Sequence, residues 1–429
     1  MATASDQFIR ETLATLATLV LVAGGLALLV RLLARSRPGL SIGYPVGVAL
    51  VTRIAAAGLL SLTPIASTLR GGDELGFLAQ AQEIAQAPLG SAPWGEALVG
   101  KLHVFVFAVQ RFALDSPDLA LRSTQAGIAV AGLALLSAAV YELAGARAAT
   151  LAIWLLALEP TGVFFSTLLH KEANMLLASG LVALGGAIVW RRGEPRALAP
   201  MVLGCLIAVA TRPYAGWFLI AATAATVLHA GLRPQQRGSV RSLGLIAVVV
   251  LFAAVAAPTV LKASTDQSLQ QNVQSAQEAN STDSSNLKLE RVDFSSREAI
   301  VFNLPRRIRD VLIRPYPWQL EDVSQEFGLV GTTVAYVVIA LLLWTALENR
   351  GRLMERAAPL WYLAFFLLIA YSLSTGNAGT GFRYRTHLLT IAICILVVLR
   401  VGREAAPARE PISGTRPPLP GREPATTSA

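Results

Sequence analysis

Apolar residues along the chain gather into runs of about twenty, the length an α-helix needs to cross a hydrocarbon layer. Read in order, these runs predict spans at 12–30, 44–65, 123–141, 148–169, 173–190, 197–211, 213–228, 242–261, 328–347, 357–374 and 386–399. Those at 197–211 and 386–399 are short, and Glu159-Pro160 interrupts the fourth. Two polar stretches, 66–122 and 262–327, are far too long to be turns. Within the first, 98–114 is an apolar run broken by Lys101, His103, Gln110 and Arg111, which predicts an interfacial helix rather than a span. The pattern as a whole predicts an all-α polytopic membrane protein with about 11 transmembrane helices over 1–403. The remaining 404–429 is rich in Pro, Arg, Glu and Thr, and predicts a disordered tail.

Composition agrees: the chain is 54% hydrophobic and 15% charged, with a mean hydropathy of +0.55. A soluble domain carries about 25% charged residues. The net charge of +9 is not a nucleic-acid footprint, because most of the surplus is arginine in short loops. Placing Arg31, Arg35 and Arg37 in the cytoplasm also puts Arg147, Arg191, Arg192, Arg196, Arg233, Arg237, Arg241, Arg350, Arg352, Arg356 and Arg400 there. The positive-inside rule is then met at every short loop. Both long loops, and the turns at His170, Arg212 and 376–385, fall on the opposite, extracytoplasmic face. The two cysteines, Cys205 and Cys394, lie inside apolar runs and offer neither a disulfide nor a metal spacing.

That outer face carries residues the topology rule does not explain. Asp73 and Glu74 stand side by side just past the second span; acids also favour a helix N-terminus, so a capping role competes with a chemical one. Lys171, one of only four lysines against 32 arginines, sits in His170-Lys-Glu172 between two spans. Arg212-Pro-Tyr214 joins two short spans, at a depth where a charge is costly and marks a partner or a site. Arg314-Pro-Tyr-Pro-Trp318 ends a basic segment, with an interfacial aromatic anchor as its simpler reading. The glycine-rich 376–385 presents Arg383, Tyr384 and Arg385 at the mouth of a short span. Arginine forks suit phosphate oxygens, and a carboxylate can take a proton from an attacking hydroxyl. Two acids and several cations at headgroup depth fit a polyprenyl-phosphate sugar. Any divalent cation such as Mg2+ or Mn2+ would fall to Asp73 and Glu74. Arg53 and Glu159, the only deep charges, read as polarity internal to the bundle.

The order of these features resembles the GT-C superfamily of integral-membrane glycosyltransferases, which use polyprenyl-phosphate-linked sugars. The similarity rests on Gly-Gly-Asp73-Glu74-Leu-Gly-Phe-Leu-Ala in the first outer loop, on Glu159-Pro-Thr-Gly through His-Lys171-Glu172, on Arg212-Pro-Tyr214, and on Gly-Thr-Gly-Phe-Arg383-Tyr-Arg385. It covers roughly 60–400. It departs from the family in an extra first span and in the lack of a sizeable soluble domain after the bundle. The resemblance implies a GT-C-like bundle in a bacterial plasma membrane, moving a sugar from a polyprenyl-linked donor to a cell-envelope glycan or lipid acceptor on the outer face. Asp73 would then be the base, with Glu74 supporting it. Lys171, Arg212, Tyr214, Arg314, Trp318, Arg383, Tyr384 and Arg385 would bind the phosphate-bearing substrate. A repeat-unit polymerase shares the donor and differs in acceptor. A lipid or solute transporter is the alternative from another class, and would gather its polar residues near the bilayer midplane.

Overall fold

The computed structural model describes residues 4–63, 72–233, 297–319, 323–376 and 378–401. Described residues are helical throughout their ordered elements, with no strand among them. In chain order the helices are α1 (Ala4–Arg35), α2 (Gly43–Leu62), α3 (Gly72–Gln86), α4 (Ala92–Gly100), α5 (Leu102–Leu114), α6 (Asp118–Ala144), α7 (Ala146–Leu158), α8 (Pro160–Phe165) and α9 (Glu172–Arg192). They continue as α10 (Leu198–Thr211), α11 (Pro213–Leu232), α12 (Arg297–Ile313), α13 (Val323–Glu348), α14 (Leu353–Ser374) and α15 (Ala378–Val401). Eight of these are long and apolar enough to cross a membrane: α1, α2, α6, α9, α11, α13, α14 and α15. The protein is an all-α, multi-pass membrane protein. The expected spans at 148–169 and 197–211 are instead short apolar helices, and the expected span at 242–261, most of the loop 262–327 and the tail 404–429 lie outside the described residues.

The core is the parallel pair α6 and α9, with α7 and α8 returning the chain between them. Their backbones approach closely at glycine. A Cβ on Gly132 would lie 2.7 Å from the Leu176 carbonyl, and one on Gly180 would lie 2.6 Å from the Gly132 oxygen. Gly204 of α10 meets the Ala178 carbonyl in the same way, at 2.6 Å. Small residues let helices pack in lipid, where no hydrophobic difference drives them together.

The break between α7 and α8 has a local cause. Pro160 has no N–H, so the Leu156 carbonyl loses its helical donor. Thr161 N–H turns instead to the Glu159 carboxylate (3.0 Å), which also caps Gly162, and this frees the Ala157 carbonyl. Arg53, 1% exposed, donates to both orphaned carbonyls at 3.3 Å and to Ser166 Oγ at 2.9 Å. The two deep charges are therefore committed to repairing one helix break.

The two ends of the bundle differ. At one end Arg37 and Arg192 pair with Glu142 (3.0 and 2.8 Å), Arg233 donates to the Trp190 carbonyl, Arg356 to that of Leu399, and Arg400 to Thr345. At the other end, about 40 Å away along α6, the stretch 72–114 forms three helices that cap the bundle rather than a loop. Trp94, Ala97, Val104, Phe107 and Leu121 make its small core. The helix expected at 98–114 breaks at Lys101 into the end of α4 and α5 (Leu102–Leu114), whose Phe112 and Val109 stay exposed beside buried Phe107.

Candidate functional site

A cavity of about 230 Å³ opens at the capped end. Five separate parts of the chain line it: Asp73 and Phe77 from α3; His170, Lys171 and Glu172 from the turn into α9; Arg212 and Tyr214 from the joint between α10 and α11; Ser374 at the end of α14; and Thr380, Arg383 and Tyr384 from α15. Local sequence sets each in place. Arg212 sits in a non-helical joint (φ −151, ψ 83) forced by Pro213 at the first position of α11, so its side chain leaves the helix axis sideways. It reaches Glu172 at 3.2 Å and lies over the Tyr384 ring, 4.7 Å from its centroid. Tyr384 stacks on Tyr371 (4.4 Å) and shares a 2.6 Å hydrogen bond with the Tyr214 hydroxyl. Tyr371 is in turn fixed by His387 Nδ1 at 2.6 Å.

Asp73 stands at the more open side, 45% exposed, where both terminal nitrogens of Arg383 donate to its Oδ2 at 3.3 Å. Lys171 Nζ lies 5.6 Å from the Phe77 ring centre. Burial brings its pKa down to about 8, with neighbouring Arg212 adding to the shift. Burial likewise holds His170 near 4, helped by Arg383, so its imidazole is neutral at pH 7. Three cations thus face two carboxylates across the lining, a net charge of +1 at neutral pH. Such a lining has the charge to take up an anion, with a carboxylate beside it.

Six of the residues singled out from the sequence meet in this cavity: Asp73, Lys171, Arg212, Tyr214, Arg383 and Tyr384. Four do not. Glu74 turns inward, fully buried, and is held by Arg122 and by the Leu169 N–H (3.4 Å); it anchors the cap to α6. Arg385 faces away and donates to the carbonyls of Leu312 (3.4 Å) and Arg314 (3.1 Å) and to Thr332 (2.8 Å), closing the end of α12. Arg314 lies near Asp310 (3.5 Å), and Trp318 is exposed and stacked on Tyr316. A shared Asp73–Glu74 cation site does not fit, since Arg122 occupies the Glu74 carboxylate, and among the described residues no three acid, His or Cys side chains cluster for a metal.

His170 and Glu172, which flank Lys171 in the turn noted from the sequence but were given no role there, join the lining, as do Phe77, Ser374 and Thr380, which were not singled out. For Phe77 a signal existed: it lies four residues past Asp73, hence on the same helix face. Comparison with protein-family models, curated proteins and solved structures found no match for this chain.

Proposed function

We propose that this protein is a membrane glycosyltransferase of GT-C type, moving a sugar from a polyprenyl-phosphate carrier to a hydroxyl of a cell-envelope acceptor on the extracytoplasmic face. One observation carries the reading: a single cavity, at the end of the bundle opposite the arginine-rich end, collects three cations and two carboxylates from four chain segments. By the positive-inside rule the arginine-rich end is cytoplasmic, so the cavity faces outward at headgroup depth.

The chemistry follows from the lining. Lys171 and Arg383 take the donor phosphate, with Arg212 behind them. The acceptor oxygen bonds to the anomeric carbon as the bond from that carbon to the phosphate oxygen breaks. The cations stabilise the charge growing on the leaving phosphate. Asp73 accepts the acceptor's proton. An arriving phosphate competes for Arg383 and so releases Asp73 from its ion pair. A polymerase would use the same donor half of this site. A transporter fits poorly, because the two deep charges are consumed at the α7–α8 break.

The test is turnover of polyprenyl-phosphate-linked sugars by purified wild type and Asp73→Asn. Loss of a general base lowers the rate about 10²–10⁴-fold, while binding of polyprenyl phosphate changes little. Asn starts a helix nearly as well as Asp, so equal rates would leave Asp73 a helix-start residue. Failure of the wild type to bind polyprenyl phosphate would overturn the reading.

A further inference from the structure

Most polar atoms around the cavity are engaged by the protein. Among the described residues, two buried atoms of the lining side chains have no hydrogen-bond partner from another residue: Oε2 of Glu172 and Nδ1 of His170. Both side chains are held in position. Arg212 grips the other Glu172 oxygen at 3.2 Å, and the His170 ring packs edge-on to Phe77 with centroids 6.0 Å apart. His170 is 3% exposed, so bulk solvent does not satisfy it. A buried polar atom without a partner costs about 1–3 kcal/mol. Two such atoms on side chains of one cavity lining are placed for a bound ligand to supply the missing hydrogen bonds.

The chemistry of the pair selects that ligand. A carboxylate oxygen only accepts, whereas a neutral imidazole offers one donor and one acceptor. A phosphate oxygen would be repelled by Glu172. A hydroxyl group donates and accepts, and neighbouring hydroxyls on one ring can meet both residues. Phe77 and Tyr214 are the lining aromatics beside them for the C–H side of such a ring.

We propose that His170 and Glu172 form a hydroxyl-recognition subsite for a sugar ring, separate from the cations that take phosphate. That the sugar arrives on a lipid phosphate rests on the function proposed above; the subsite itself is tested without that assumption.

The experiment places the full chain in nanodiscs and measures binding of a panel of methyl hexosides and pentosides by saturation-transfer NMR. Polyprenyl phosphate binding is measured in parallel. His170→Phe keeps the edge contact with Phe77 but has no ring nitrogen; His170→Asn restores a polar group. Glu172→Gln keeps size and cannot accept at both positions. Wild type should bind at least one glycoside. His170→Phe and Glu172→Gln should each weaken it about tenfold or more, the scale of one lost buried hydrogen bond, and His170→Asn should recover part. A purely structural His170 would leave glycoside binding intact in His170→Phe. The subsite is overturned if wild type binds no glycoside, or if both variants bind as wild type does. Should either variant fail to fold, as judged by its thermal midpoint, the other decides alone. Glycoside binding with this variant pattern but no polyprenyl phosphate binding would sink the lipid-donor reading and leave the subsite standing. Polyprenyl phosphate binding without glycoside binding would do the reverse.

Discussion

Lys171 is an ammonium only below a pH near 8, and that has consequences of opposite sign for binding and for stability. Its folded pKa lies below the ordinary value of 10.5, so the folded state disfavours the proton that the unfolded chain carries. Stability is therefore reduced at pH 7, and the penalty fades as pH rises from about 8 past 10.5. Phosphate binding, on the function proposed above, runs the other way, because it needs the charge. Affinity for polyprenyl phosphate should fall about tenfold between pH 7 and pH 9.5, the size of one charged hydrogen bond. Lys171→Arg should flatten that dependence, since arginine keeps its proton throughout. Equilibrium binding at the two pH values checks both. Arg53 makes a simpler case. Arg53→Leu strands two buried carbonyls, and we expect a loss of about 3 kcal/mol or more, read as a lowered thermal midpoint. Residue type pointed to the site, but sequence adjacency could not say which neighbour faces it. Successive residues on a helix point about 100° apart, which separates Asp73 in the cavity from Glu74 against Arg122.

Elements were legible where one apolar run made one helix, and less so where glycine and proline carried two meanings. The stretch 376–385 reads as a glycine loop before a short span, yet α15 is already helical from Ala378 on. Gly381 serves packing: a Cβ there would come within 3.3 Å of Thr375 and 3.9 Å of Val311. Once that segment is helix, Arg383 and Arg385 must diverge by about 200°, which accounts for one lining the cavity and the other closing α12. The interrupted run 148–169 is likewise two helices, α7 and α8, because Pro160 and Glu159 end one and start the other. At α6 and α9 the glycine contact makes a sharp prediction. Gly180→Val pushes a side chain into the Gly132 carbonyl, and overpacking of this kind costs about 1–3 kcal/mol. The thermal midpoint should drop well below that of Gly58→Val, where no atom lies within 4 Å.

For the whole molecule, the distribution of arginine was the most informative property of the sequence, because it sorts loops by side without any knowledge of packing. The contacts then show arginines from the α1–α2 turn, α9, α14 and α15 meeting at one end, and the cavity at the other. What stayed hidden was which distant segments touch, since nothing in a single sequence joins Asp73 to Arg383. The sidedness is checked with Glu96→Cys on the exposed face of α4. An impermeant thiol reagent should label it in intact spheroplasts, with little background from the buried Cys205 and Cys394. Labelling only after lysis would invert the topology.

The ion pair between Asp73 and Arg383 spans 310 residues of chain, and this bears on biogenesis. Membrane helices are threaded in order as translation proceeds, so α3 is made early and waits for α15. Until then Asp73 lacks its guanidinium and Arg212 lacks the ring of Tyr384. A nascent chain stopped before Ala378 would still carry the packed pair α6 and α9, already inserted, yet have no finished site. The cavity lining is thus assembled only after α15 has been made, its Arg383 lying 310 residues beyond Asp73.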